Sequence, residues 1–145
     1  MKFLIINGVN LNLTGKREKG VYGTATLDQI NEQIARYCTQ NGDEASFYQS
    51  NIEGELVNKL HEANESKAFD GILLNAGAFT HYSYAIRDAI AAIDVPVAEV
   101  HISNVHAREE FRNVSVISQV CKGTVCGFGV GSYLAAIVGL KTVIG

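Results

Sequence analysis

Apolar positions along the chain follow two rhythms. Short β-branched or apolar runs mark strands at Phe3 to Ile6, Ala45 to Gln49, Gly71 to Leu74, Val97 to Val100 and Thr124 to Phe128. Between them apolar residues recur at helical spacing. Leu27, Ile30, Ile34, Tyr37 and Cys38 predict one helix that runs to Gly42, and Ile52, Leu56, Leu60 and Ala63 predict the buried stripe of another. Ile86, Ala89, Ile90 and Ile93 mark a third, stopped before Pro96, the only proline. After Gly129 and Gly131, Tyr133 to Leu140 makes a last, almost wholly apolar helix. Thr26 to Gln29 and Ser50 to Glu53 both have the form of a capping box, in which a hydroxyl and a side chain three residues later satisfy each other's backbone N–H.

Five strands and five helical segments in alternation predict a single α/β domain over residues 1–145, with a parallel sheet covered on both faces. With right-handed crossovers this is a flavodoxin-like, doubly wound, five-stranded parallel sheet of order 2-1-3-4-5. Ligands bind such sheets beyond the carboxyl ends of the strands, where the order reverses. Polar groups sit there in this sequence: Asn7-Gly8-Val9-Asn10 after strand one, Asn75, Gly77 and His81 after strand three, and Glu99 to Asn104 at strand four.

Composition narrows the class. Charged residues are 19% of the 145 positions, against about 25% in typical domains, which predicts a surface partly used for self-association. A net charge of −3 with dispersed Lys and Arg gives no footprint for nucleic acid or an anionic membrane. Met1-Lys2 leads straight into the first strand without a cleavable signal pattern, so a cytoplasmic location is expected. Cys38, Cys121 and Cys126, odd in number and in apolar surroundings, read as buried thiols.

Glu99 and His101 are two apart on a strand and leave the same face, so the carboxylate can orient or charge the imidazole. Ser103, Asn104 and His106 follow, and Arg108 and Arg112 are natural partners for a carboxylate ligand. The connection Leu11 to Gly23 is long enough to be a lid, with Gly15, Gly20 and Gly23 as candidate hinges. It carries Lys16, Arg17 and Tyr22; an arginine close to a phenol favours the phenolate and would let the lid deliver a general base. Other features favour bland readings: Gly127 to Gly131 as a tight turn packed on a helix, His61 as a surface residue, Arg87 and Asp88 as a solvated face. His101 and His106 lack a metal-ligand spacing. Another lyase or isomerase of a small hydroxylated carboxylate, or a flavodoxin or receiver module, remains an alternative at this point. The receiver expects acidic residues where this chain has asparagines.

Several stretches together resemble type II 3-dehydroquinate dehydratase: Asn7 to Leu13, Gly15 to Glu18 with Tyr22-Gly23, Ser50 to Gly54, Asn75 to His81, Ala85 to Ala89, Glu99 to Arg112, and Gly127 to Gly129. The resemblance runs nearly end to end. It implies that Tyr22, its phenol acidified by Arg17 and assisted by Arg108, removes the C2 proton beside the substrate's C3 ketone. It further implies an enolate stabilised through a water held by Asn10, and a His101, supported by Glu99, that protonates the departing C1 hydroxyl. By the same resemblance Asn75, His81 and Arg112 hold the ring hydroxyls and carboxylate region, and the backbone amides of Ile102 and Ser103 receive the carboxylate. No cofactor, metal or lysine Schiff base is implied. The family's equivalent of Asp88 reaches the site of a neighbouring subunit, and the implied assembly is a dodecamer built from trimers. Val9, Lys19 and Gln119 stand where the family usually has proline, so ordering the lid is expected to cost more conformational entropy.

Overall fold

The computed structural model of the chain describes residues 1–16 and 18–145, with Tyr22 described by its backbone. Strands β1 (Lys2–Asn7), β2 (Glu44–Gln49), β3 (Gly71–Asn75), β4 (Val97–His101) and β5 (Gly123–Cys126) pair in parallel in the order β2-β1-β3-β4-β5. The described α-helices are α1 (Lys19–Tyr22), α2 (Leu27–Gln40), α3 (Glu53–Ser66), α4 (Tyr84–Ala91) and α5 (Val130–Ile144), with short 3₁₀ turns between elements. Because strand side chains alternate, β1 serves two cores at once. Phe3 and Ile5 join Leu73 and Val100 under α2 and α5, while Leu4 and Ile6 join Ile72, Leu74 and Val97 under α3 and α4. Each such fully buried aliphatic side chain contributes about 1.5–3 kcal/mol relative to exposure, so the central strands form a rigid floor beneath the loops. Among the described residues no helix is long and apolar enough to cross a membrane.

At the carboxyl edge the turns after β1 and β3 interlock. Gly8 N–H donates to the Asn75 carbonyl at 2.7 Å. A Cβ on Gly8 would stand 2.5 Å from the Ala76 carbonyl oxygen, and one on Gly77, whose φ is +63°, 2.7 Å from that of Val9. Only glycine permits this approach.

Several expectations are corrected. The Thr26 to Gln29 capping box forms, with the Thr26 hydroxyl accepting from Gln29 N–H at 3.2 Å and Gln29 Oε1 accepting from Thr26 N–H at 2.9 Å. The Ser50 to Glu53 box does not. The Ser50 hydroxyl donates to the Glu55 carboxylate and accepts from Ile52 N–H, and α3 opens with Ile52 as its uncapped flanking residue. Ile52 consequently turns outward, 59% exposed, instead of joining the stripe. The β4 to β5 connection contains short 3₁₀ turns at Val105–Ala107, Glu110–Asn113 and Ser118–Val120 in place of an α-helix. The expected lid loop carries a 3₁₀ turn at Leu11–Leu13 and the short α1. Gly20 lies within α1 and is no hinge, whereas Gly15 and Gly23 have φ of +84° and +77°. Strand β5 ends at Cys126, two residues before the expected Phe128, and α5 extends beyond both ends of Tyr133 to Leu140. All three cysteines are free; Cys38 is buried, but Cys121 and Cys126 are only partly so.

Candidate active site

A cleft with about 550 Å³ of empty space opens over the carboxyl ends of β1, β3 and β4. Asn10, Asn75, His81, His101, Ile102, Ser103, Arg108 and Arg112 are among the residues that line it. Eight of the residues singled out from the sequence thus converge, drawn from the ends of three strands.

Glu99 forms the floor beneath His101. It is 1% exposed, and its Oε2 lies 3.5 Å from His101 Nε2. The Ser115 hydroxyl donates to Glu99 Oε1. Burial alone would raise the Glu99 pKa, but the contacts with His101, Ser115 and Thr124 outweigh it and hold the group below its ordinary value. Glu99 is therefore an anion at neutral pH, facing the imidazole that borders the cleft.

His81 stacks on His101, with ring centroids 6.5 Å apart and planes at 17°. Its Nδ1 lies 2.7 Å from the Val114 carbonyl, which assigns the N–H to Nδ1 and leaves Nε2 as the acceptor of the neutral ring. Burial holds the His81 pKa below its usual value, and the nearby charges of His101 and Arg112 add to that effect. Phe111 meets His81 edge-on at 5.7 Å and carries the Arg112 guanidinium over its face at 4.7 Å. Arg112 Nε also donates to Glu109 at 2.8 Å, so the guanidinium is held on two sides.

Asn75 is fixed from below. Its Nδ2 donates to the Tyr133 hydroxyl at 3.0 Å, and its Oδ1 accepts from Gly77 N–H at 3.2 Å. The Tyr133 hydroxyl in turn donates to Asn7 Oδ1 at 2.5 Å. Tyr133 is wholly buried, and that burial pushes its pKa far above the usual tyrosine range, so it remains a proton donor. Asn10 takes a left-handed φ of +66° and donates its backbone N–H to Asn51 Oδ1 at 2.9 Å. Gln49 braces that contact through Nε2, donating to Asn51 Oδ1 at 3.1 Å and to the Gly8 carbonyl at 3.2 Å.

Arg108 reaches the lid segment, its guanidinium 3.4 Å from Glu18 Oε2. Arg17 and the Tyr22 side chain lie outside the described residues. Asp88 stands away from the cleft on α4, exposed and paired with Arg87 at 3.1 Å. Among the described residues no group of three or more His, Cys, Asp or Glu side chains gathers to hold a metal. Cys121, near Glu99, has its thiol pushed up to about 12 by burial and then by that carboxylate, which removes it as a nucleophile at neutral pH.

Sequence reasoning missed Tyr133, Ser115 and Asn51. Tyr133 sits within an apolar helical run, and its partners lie 126 and 58 residues away, so no local pattern marks it as polar machinery. Ser115 is 16 residues from Glu99, across a connection with no periodicity.

The family model for class II dehydroquinases matches residues 1–141. A 3-dehydroquinate dehydratase of Caldicellulosiruptor bescii is 51% identical over 143 residues, covering 99% of this chain and 98% of its own. The crystal structure of a type II dehydroquinase from Butyrivibrio crossotus superposes with a TM-score of 0.94 at 48% identity, over 97% of each chain. One from Propionibacterium acnes gives 0.91 at 36% identity, over 97% of this chain and 96% of its own. With a family match over residues 1–141, relatives near half identity and the same fold in solved type II dehydroquinases, this chain is an enzyme that belongs to the class II dehydroquinase family.

Proposed function

We propose that this protein eliminates water from 3-dehydroquinate to give 3-dehydroshikimate, by anti elimination through an enolate. The observation that carries the reading is the buried Glu99–His101 pair opening into a cleft that also presents Arg108, Arg112 and Asn75. A hydroxyl β to a ketone leaves readily once the intervening carbon loses its proton. That requires a base for the acidic C–H, a group to stabilise the enolate and an acid for the leaving oxygen.

In this reading Tyr22, as a phenolate beside Arg17, takes the C2 proton, and the C–H electron pair moves toward the C3 ketone as an enolate. A water held by Asn10 stabilises the enolate oxygen. As the enolate collapses to form the C1–C2 double bond, His101, oriented by Glu99, gives its proton to the C1 hydroxyl and water departs. Arg108, linked to the lid through Glu18, assists lid closure and the electrostatics of the base. Asn75, His81 and Arg112 hold ring hydroxyls and the carboxylate region, and the Ile102 and Ser103 backbone N–H groups receive the carboxylate. The route needs neither a Schiff base nor a metal. It belongs to the shikimate pathway of aromatic amino acid biosynthesis or to quinate catabolism, with a cytoplasmic setting.

Self-association completes the proposal, as a dodecamer of trimers in which Asp88 reaches a neighbouring site. The low charge content supports it, as do the exposed Tyr82, Tyr84, Phe128, Val138 and Val143. Tyr82 and Tyr84, 58% and 67% exposed, flank the start of the same helix that carries Asp88.

The decisive measurement adds 3-dehydroquinate to the purified protein and follows the ultraviolet absorbance of the conjugated product. A rise that chelator leaves unchanged is expected; no rise from correctly assembled protein defeats the reading, and loss with chelator defeats its metal-free chemistry. Tyr22→Phe is expected to abolish turnover while leaving ligand binding largely intact. Size-exclusion with light scattering tests the assembly, and a 15.7 kDa species would overturn it.

A further inference from the structure

We propose that Ser115 is a positioning residue for the elimination, donating its only hydroxyl proton to Glu99 Oε1 so that the carboxylate is held with its other oxygen toward His101. The inference rests on the assignment of Glu99 and His101 given above. A serine hydroxyl has one proton and two lone pairs. Both acceptor positions of Ser115 Oγ are taken by backbone donors, Ile117 N–H at 3.3 Å and Ser118 N–H at 3.1 Å, at the start of the 3₁₀ turn Ser118–Val120. The proton therefore has one partner, Glu99 Oε1. A hydroxyl free to rotate could either donate to a carboxylate or accept from a protonated acid. Pinned by two N–H groups, this one can only donate, and it favours the ionised form of Glu99 over the neutral one.

The surroundings of Glu99 make that contact consequential. On its own strand it faces His101, and β5 contributes Thr124, which pairs with Glu99 in register. The neighbouring Leu74 on β3 brings no polar group. Cys121, before β5, remains a neutral thiol at working pH, and the charges next outward are His81, stacked on His101, and Arg112. The groups that chiefly lower the Glu99 pKa are His101, Ser115 and Thr124; hydrogen bonding, with Ser115 among the contributors, offsets its burial. Removing the hydroxyl shifts that balance toward the neutral acid, which would no longer offer the imidazole a full negative charge.

The test is the pH profile of dehydration by the assembled enzyme. Ser115→Ala is expected to move the acid limb of kcat upward by about one pH unit and, because the carboxylate is no longer held toward His101, to lower kcat at neutral pH by about tenfold, with KM changed by less than about twofold. Ser115→Thr, which keeps the hydroxyl, is expected to restore the limb. In a Glu99→Gln background Ser115→Ala is expected to have no further effect, because it acts through the carboxylate. If Ser115→Ala fails to fold, Ser115→Cys, with its weak S–H donor, supplies the same comparison. An unmoved acid limb, or an equal fold-loss in both backgrounds, overturns the proposal and leaves Ser115 as a loop-bracing residue. Full activity of Glu99→Gln or His101→Ala alone would instead overturn the assignment of the pair itself.

Discussion

The two edges of the sheet use polar side chains in opposite ways. At the amino edge, Asp43 receives the Met1 ammonium at 2.9 Å and Lys141 Nζ at 2.5 Å, tying the start of β1, the turn before β2 and the end of α5. Asp70 accepts from Lys2 N–H at 2.7 Å, and Asn64 accepts from Asp94 N–H at 2.9 Å. These groups close on one another. At the carboxyl edge Asn75, His81, His101 and Arg112 are each anchored by neighbouring groups and border the cleft with hydrogen-bonding capacity to spare. Polar groups thus stabilise the fold at one edge and are prepared for a ligand at the other. A chain of net charge −3 still presents arginines to an anionic substrate, because its acidic residues near the cleft are spent on orienting His101, Arg108 and Arg112.

Substitutions at the two edges should separate activity from stability. The largest expected effect is His101→Ala, which should lower kcat by about 10³-fold, the upper part of the range for a general acid, with a thermal midpoint close to the parent's. A loss confined to KM would move His101 from chemistry to binding. At the other edge Asp43→Asn should cost about 1–2 kcal/mol of stability, since both cationic partners are partly exposed, and should leave kcat and KM unchanged. Denaturation against pH checks the cause. Lys141 holds the Asp43 pKa below its ordinary value, more than offsetting burial, with the Met1 ammonium adding to the effect. Its contribution is therefore complete above the unfolded value of about 3.9 and lost as pH falls through the lower folded value, so parent and variant should converge in acid and differ at neutral pH. A smaller effect on turnover than that of His101→Ala is expected from Tyr133→Phe. It removes a donor to Asn7 and an acceptor for Asn75, and should raise KM about tenfold by freeing the Asn75 amide while kcat falls less. An unchanged KM would show that Gly77 N–H alone orients Asn75.

What could be read beforehand divides along physical lines. Phe3 to Ile6 and Gly71 to Leu74 are legible because strands covered on both faces become unbroken apolar runs. Glu99 and His101 are legible because a two-residue spacing on a strand fixes a shared face whatever surrounds it. The two capping motifs have equal claims as sequence, yet only Thr26 to Gln29 forms. At Ser50 the hydroxyl is drawn to Glu55 and Ile52 N–H, a competition among near neighbours that a four-residue pattern does not contain. The β4 to β5 connection follows no period; it is tied down by contacts that no repeat marks, such as Val116 N–H to the Thr80 carbonyl at 2.9 Å. Contacts across long sequence separations, such as Tyr133 with Asn7, become visible only once the chain has closed.

The interlocked turns at Gly8 and Gly77 have a consequence for protein engineering. With a Cβ at either position meeting the opposite backbone at 2.5 Å or 2.7 Å, neither loop can be redesigned alone. Transplanting this site to another doubly wound scaffold would mean moving both loops as one cassette, with the strand-end asparagines beneath them; a library that varies one turn at a time would return mostly misfolded members.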